Sequence, residues 1–110
     1  MRSVKAVENI QINSLADLDR LVAEQFNLPL RPYSTDIKAA LELVVWNLEN
    51  SDSEWPYFSF ERTPYAKPDE PFIASFERDA WSSGATAPLS ICKSALRYIK
   101  KIAVTIRGRE

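Results

Sequence analysis

Residues 86–99, TAPLSICKSALRYI, carry the clearest helix signal in this 110-residue chain and decide how the rest of it packs. Thr86 is a residue type that caps helices, and Pro88 fits a first helical turn, where its missing N–H is not needed. Apolar residues then recur three and four positions apart on one side: Leu89, Cys92, Ala95, Leu96 and Ile99. This side must be buried, and we expect it to pack on a sheet.

The same stretch also has a basic side, which continues towards the end of the chain. Residues 93–110 hold six Lys or Arg and one Glu, whereas residues 1–92 hold eight basic and fourteen acidic side chains. This asymmetry predicts a surface for an acidic partner. The alternative is that these cations complement the dipole of the last helix and solvate its outer face. The candidate binding residues are Lys93, Arg97, Lys100, Lys101, Arg107 and Arg109.

Composition favours one globular domain spanning residues 1–110, because 45% of the residues are hydrophobic and 26% are charged. Cys92 is the single cysteine, so it cannot form an internal disulfide, and we expect an inert core thiol in a reducing cytoplasm. The first residues do not resemble a secretory signal, and no apolar run approaches the ~20 residues that span a membrane. These features predict a soluble, intracellular protein.

Two further helices are expected in the first half of the chain. Ser14 precedes an apolar series that ends near Asn27, as in a capped amphipathic helix. Ser34 or Thr35 is expected to cap a second helix that ends near Asn50. The apolar stripe that should bury this second helix consists of Ile37, Ala40, Leu41, Val44, Val45 and Leu48.

Aromatic residues at alternating positions predict strands in the second half of the chain. Residues 55–62, WPYFSFER, and residues 72–78, FIASFER, read as an antiparallel pair joined by a long Pro-containing loop at residues 63–70. Residues 80–85 could return as a third strand, with Trp81 packing inward. An edge strand or an irregular arm is expected within residues 1–13. Residues 103–110 either extend the last helix or form another strand.

Apolar side chains on both faces of the predicted strands require cover on both sides. The sequence therefore predicts an α+β protein in which a small antiparallel sheet of three to four strands is covered by helices on both faces, an α/β/α sandwich.

Few residues in this chain can support catalysis. There is no histidine, and two glycines cannot form a phosphate-binding loop or a dinucleotide fingerprint. The candidate carboxylates are Glu61, Glu77, Asp36 and Asp79, but Glu61 and Glu77 each precede an arginine in the tripeptide Phe-Glu-Arg, which favours ion pairing at a sheet rim. The helix N-termini could bind an anion, although capping by their hydroxyls is the simpler interpretation. We expect no catalytic residue, no metal and no cofactor.

Two segments together resemble the phage ABA sandwich domain family: residues 31–50, RPYSTDIKAALELVVWNLEN, and residues 84–99, GATAPLSICKSALRYI. Members typically enter one helix with YSTDI-x-AA and another with TAPLAICRAAL. The matching positions are Tyr33, Ser34, Thr35, Asp36, Ile37, Ala39 and Ala40, then Thr86, Ala87, Pro88, Leu89, Ile91, Cys92, Lys93, Ala95 and Leu96. Residues 17–26, DLDRLVAEQF, are also similar to the family's ELDALVAEKV.

The resemblance covers residues 14–99. It implies a helix–sheet–helix sandwich and a phage or prophage origin, and it carries over no catalytic residue. The chain departs from the family pattern in the loop at residues 63–70 and in the basic extension at residues 100–110.

Three functions remain open at this point. The first is a small, non-enzymatic phage accessory protein that binds a host protein or ribonucleoprotein complex in the host bacterial cytoplasm, for example an anti-CRISPR-type inhibitor. The second is a nucleic-acid-binding accessory protein that uses the basic side of the last helix. The third is a small carboxylate-dependent hydrolase. No membrane partner is expected.

Overall fold

The computed structural model describes residues 7–107, apart from the side chains of residues 64–66, as three helices and five strands. In chain order these are β1 (Glu8–Ile12), α1 (Leu15–Phe26), α2 (Ile37–Asn50), β2 (Ser59–Lys67), β3 (Glu70–Glu77), β4 (Ala80–Gly84), α3 (Ala87–Ile99) and β5 (Ile102–Ile106).

Helix α3 lies at the centre of the fold. It packs on β3 and β4, and it also contacts α1, α2 and β5. The Thr86 hydroxyl caps it by accepting a hydrogen bond from the Leu89 N–H at 3.3 Å, and Pro88 lies in the first turn. Its buried residues are Ser90, Ile91, Cys92, Ser94, Ala95 and Leu96. The predicted cap, helix and burial of Cys92 are confirmed.

The strands form two sheets. β2, β3 and β4 make an antiparallel sheet in that order, while β1 and β5 pair in parallel, from Glu8 opposite Ile102 to Ile12 opposite Ile106. Residues 102–106 are therefore a strand and not a helical extension. The α+β class and the small antiparallel sheet packed against helices are confirmed. α3 supplies the helix layer on one face of this sheet, α1 and α2 pack on α3, and the other face holds an open groove.

Helix α1 follows its sequence signals closely. The Ser14 hydroxyl accepts a hydrogen bond from the Asp17 N–H at 3.1 Å, which caps the first turn. Asn27 ends the helix in the left-handed conformation, with φ of 55°, which asparagine adopts more readily than most residues. Leu18, Val22 and Phe26 are buried.

The predicted cap of α2 is wrong by one or two residues. Asp36 is the cap, and its carboxylate accepts a hydrogen bond from the Lys38 N–H at 3.2 Å. Ser34 is instead buried before the helix, where its N–H donates to the Asp19 carboxylate of α1 at 2.8 Å. Ser34 therefore ties the connection to α1, and a carboxylate serves as the cap.

The predicted buried stripe of α2 is also wrong in part. Ala40 is buried and Val44 is half-buried, and they lie with Leu43 towards α3. The other four members of the stripe are exposed: Ile37 by 40%, Leu41 by 43%, Val45 by 50% and Leu48 by 56%. Helix α2 thus has apolar residues on two sides, of which only one is covered in the described part of the chain.

The hairpin between β2 and β3 is tighter than its sequence suggests. β2 begins only at Ser59 and continues to Lys67, which pairs with Glu70 across the turn at Pro68 and Asp69. The predicted long loop at residues 63–70 is therefore largely strand. A register shift between Arg62 and Lys67 accommodates this segment. Trp55 precedes the strand and is 81% exposed.

Candidate binding surfaces

The predicted basic residues do not form one helical stripe. Lys93 and Arg97 lie four residues apart on α3 and are half-buried, but the helix ends at Ile99. Lys100 is the C-cap, and Lys101 has a left-handed backbone with φ of 62°, so the expectation that the basic side of the helix continues is wrong at these two positions. Arg107 follows β5, is exposed, and donates to the Gln11 side-chain oxygen at 3.0 Å. Arg109 lies outside the described residues.

Two of these cations are already engaged with aromatic rings. The Lys100 ammonium lies 5.2 Å from the centre of the Phe26 ring and 4.7 Å from that of Trp46. These two rings pack edge to face at 4.9 Å, so Lys100 covers an aromatic contact between α1 and α2. The Arg97 guanidinium lies 5.7 Å from the Tyr98 ring. Lys100 therefore has a structural role that competes with binding a partner.

A groove lies on the face of the antiparallel sheet that no helix covers in the described part of the chain. Its volume is about 430 Å³. Alternation along the strands places Ser59 opposite Ser75 and Glu61 opposite Ile73 on this face. Ala74 and Phe76 face the core, where they are buried. The groove therefore follows from strand alternation, with no helix packed over it.

Aromatic and acidic side chains give this groove its chemical character. Tyr57 and Trp81 line it together with Ile73, and its charged lining residues are Glu61 and Asp79. The described lining contains no lysine or arginine. We define the sheet groove by these five residues, and expect it to attract cations, because two carboxylates share a concave surface with aromatic rings.

The arginines of the two Phe-Glu-Arg tripeptides contact aromatic rings. The Arg62 guanidinium lies 5.9 Å from the Phe72 ring, and that of Arg78 lies 5.0 Å from the Tyr57 ring. Neither Glu61 nor Glu77 forms an ion pair within the described residues, so the predicted rim pairing is wrong there. Glu61 is left available in the sheet groove, while Glu77 lines a different depression beside Lys100 and Lys101.

Trp81 is held in place at the edge of the sheet groove. The prediction that it packs inward is wrong, because its side chain is 57% exposed. The Tyr98 hydroxyl of α3 donates a hydrogen bond to the Trp81 carbonyl at 3.0 Å. The Ser75 hydroxyl contacts the carbonyls of Glu77 and Ala80 and thereby fastens the turn that leads into β4. The backbone that carries the indole is thus fixed from two sides.

Cys92 and the helix N-termini are the other positions with possible chemistry that the sequence singles out. Cys92 is fully buried, and burial raises the pKa of its thiol far above the ordinary value, with Asp19 adding to the shift. The described part of the chain contains no group of three or more His, Cys, Asp or Glu that could hold a metal ion. Thr86 caps α3 through its hydroxyl, as the simpler interpretation predicts, whereas the cap of α2 is the Asp36 carboxylate and not a hydroxyl.

Comparison with known proteins returned no match: no family model, no curated protein and no solved structure resembles this chain significantly. Among residues 7–107, none of the helices is both long enough and apolar enough to cross a membrane.

Proposed function

We propose that this chain is a non-enzymatic binding protein whose sheet groove holds a basic segment of a partner macromolecule. The observation that carries the proposal is the groove of about 430 Å³, with Trp81 and Tyr57 beside the carboxylates of Glu61 and Asp79. Exposed aromatic side chains on a fixed backbone are typical anchors of protein interfaces, because they bury much area and lose little conformational entropy.

The contacts inside the molecule support a cationic ligand. Arg78 already lies over the Tyr57 ring at 5.0 Å, so a guanidinium is accommodated on that aromatic face. Trp81 offers a second ring, and Glu61 has no cation beside it within the described residues. A lysine or arginine of a partner would gain a ring contact and a carboxylate contact at once, which together fix its position.

The biological setting is a proposal that rests on the two helix-entry motifs, YSTDI at residues 33–37 and TAPL at residues 86–89. Their resemblance to phage ABA sandwich domains implies a phage or prophage accessory protein that acts in the host bacterial cytoplasm. Host complexes that handle nucleic acid present basic surfaces to phosphate. An anti-CRISPR-type inhibitor with an acidic, aromatic groove would bind such a surface by stoichiometric contact.

A second candidate is nucleic-acid binding through the basic residues. It is favoured by the partial exposure of Lys93, Arg97 and Lys101 and by the exposure of Arg107. Phosphate contacts of this kind weaken steeply as salt increases. A hydrolase that pairs Glu61 with Glu77 is not favoured, because these two carboxylates line different depressions, and Asp36 is the cap of α2. Glu61 and Asp79, which both line the sheet groove, are the remaining carboxylate pair.

Two double variants separate these functions. Trp81→Ala with Glu61→Gln alters the sheet groove, and Arg97→Glu with Lys101→Glu reverses two basic residues. Trp55→Ala is the matched control, because Trp55 is an exposed tryptophan outside the groove lining. Each protein is titrated with a fluorescent ten-residue Lys/Arg-rich peptide, with an acidic peptide of equal length, and with duplex DNA at two salt concentrations.

We expect the natural chain and Trp55→Ala to bind the basic peptide and the groove variant to lose at least about tenfold in affinity, as for an interface hot spot. Binding of DNA that falls with salt and is lost in Arg97→Glu/Lys101→Glu would support the second candidate instead. The charge reversals should leave the free energy of unfolding within about 1 kcal/mol, because neither residue is buried. If all four proteins bind the basic peptide equally, the sheet groove is not the binding site.

A further inference from the structure

The exposed side of helix α2 is an apolar surface that the described chain leaves uncovered. Ile37, Leu41, Val45 and Leu48 follow one another at spacings of four, four and three, so they form one stripe along the whole helix. Their exposed fractions lie between 40% and 56%. We call these four residues the α2 stripe. Scattered apolar residues on a surface are ordinary, but a continuous stripe indicates an interface.

The charges beside the α2 stripe indicate what covers it. Lys38 and Glu49 are both exposed and lie eleven residues apart, close to three helical turns, so they sit on the same flank at opposite ends of α2. Neither side chain forms an ion pair within the described residues. Glu42, by contrast, is engaged by Arg31 at 3.4 Å.

A second copy of α2 in antiparallel orientation complements both features. A two-fold axis perpendicular to the helices brings the same flank of each copy together with its ends exchanged. Lys38 then faces the second copy's Glu49, and the reverse contact forms by symmetry. Within the stripe, Leu41 meets the second copy's Val45, and Ile37 meets its Leu48. A parallel pair would instead place this flank against the opposite one and lose both ion pairs.

We propose that the chain forms a symmetric homodimer through the α2 stripe, with the two α2 helices antiparallel. The 14 residues of α2 span about 21 Å, so the contact is at the small end of protein interfaces and the dimer should dissociate in the micromolar range. The sheet groove remains open, because α2 presses its buried side on α3 and its stripe faces away from that contact.

Sedimentation velocity over a range of about 1–300 μM tests the dimer. The mass of the natural chain should rise with concentration towards twice its 12.5 kDa. Leu41→Glu should remain monomeric at every concentration. Leu30→Glu is the matched control, because Leu30 lies outside α2 and is 64% exposed, and this variant should dimerise like the natural chain. Circular dichroism checks that each variant is folded. A natural chain that stays monomeric at the highest concentration overturns the proposal.

Charge exchange tests the antiparallel orientation. Lys38→Glu alone and Glu49→Lys alone should each weaken the dimer at least about fivefold, because each creates two like-charge contacts. The double variant should recover the natural affinity within about twofold. Lys38→Glu places a negative charge near the N-terminus of α2, and Glu49→Lys places a positive charge near its C-terminus. The helix dipole favours both changes, so they should not destabilise the fold. A double variant that is no tighter than the single ones contradicts this orientation. Peptide binding to the sheet groove is measured separately, and its loss would not affect this result.

Discussion

Replacing Gly84 with alanine tests the close approach between β4 and α3. Gly84 is buried at the end of β4, two residues before the helix cap. A Cβ at this position would lie 2.7 Å from the backbone nitrogen of Ser90, 3.0 Å from its Cα and 3.2 Å from the carbonyl carbon of Leu89. Comfortable contacts between carbon atoms are about 3.5–4.0 Å. All three neighbours are backbone atoms of α3, so relief requires the helix or the strand to move.

Two opposing effects determine how much the free energy of unfolding changes in Gly84→Ala. Restricting the unfolded chain by a Gly→Ala change stabilises a protein by about 0.4–1 kcal/mol when the folded site has room. Overpacking a closed site costs about 1–3 kcal/mol. Because the clash is with backbone, we expect the second effect to win and Gly84→Ala to lower the free energy of unfolding by about 1–2 kcal/mol, with a fall of several degrees in Tm.

Urea denaturation followed by circular dichroism measures this change. Ser82→Ala is the control, because it lies in the same strand, is only half-buried and already carries a Cβ. We expect that variant to stay within about 0.5 kcal/mol of the natural chain. A Gly84→Ala protein as stable as the natural one, or more stable, would refute the argument that backbone contact with α3 requires glycine here.

Three more predictions concern buried side chains. Leu96→Ala should lower the free energy of unfolding by about 2–5 kcal/mol, because Leu96 is fully buried; a loss below about 0.5 kcal/mol would place it at the surface. Cys92 should resist a bulky thiol reagent in the native protein and react on unfolding. Burial raises the pKa of the Cys92 thiol, and burial together with the nearby Glu42 raises the pKa of Tyr33. Because the unfolded chain then loses these protons at lower pH than the folded one, the free energy of unfolding should be fully retained below pH 9 and fall above it. The fall should be less steep in Cys92→Ala. A native thiol that reacts at once, or a flat alkaline profile, would contradict this.

The elements that could be predicted are those whose ends are set locally. Ser14 and Thr86 cap their helices through a side-chain hydroxyl, and Asn27 ends α1 in the left-handed conformation. Helix α1 therefore begins and ends, and α3 begins, where these residues indicate. The α2 cap shows the limit of such signals. Ser34, Thr35 and Asp36 can all cap, and the choice depends on Asp19 of α1, which binds the Ser34 N–H across 15 positions of sequence.

Long-range pairing could not be derived from the residues alone. The parallel contact of β1 with β5 joins strands at opposite ends of the described chain, and each is only five residues long. Neither strand carries a local signal for its partner. Pro64 and Pro68 predict a loop at residues 63–70, because proline usually interrupts strands. The register shift between Arg62 and Lys67 lets β2 continue through this segment.

The binding surfaces escaped prediction for a single physical reason. Periodicity shows which residues share a face, but it does not show whether another element covers that face. Trp81 and the α2 stripe both have the pattern of core residues, and both are exposed in the fold. In the described part of the chain the central helix α3 covers only one face of the antiparallel sheet and one side of α2. If the α2 stripe is covered by a second copy, two sheet grooves belong to one particle. A partner with two basic segments at a matching distance would then bind more tightly than either groove allows alone, because its second contact is intramolecular.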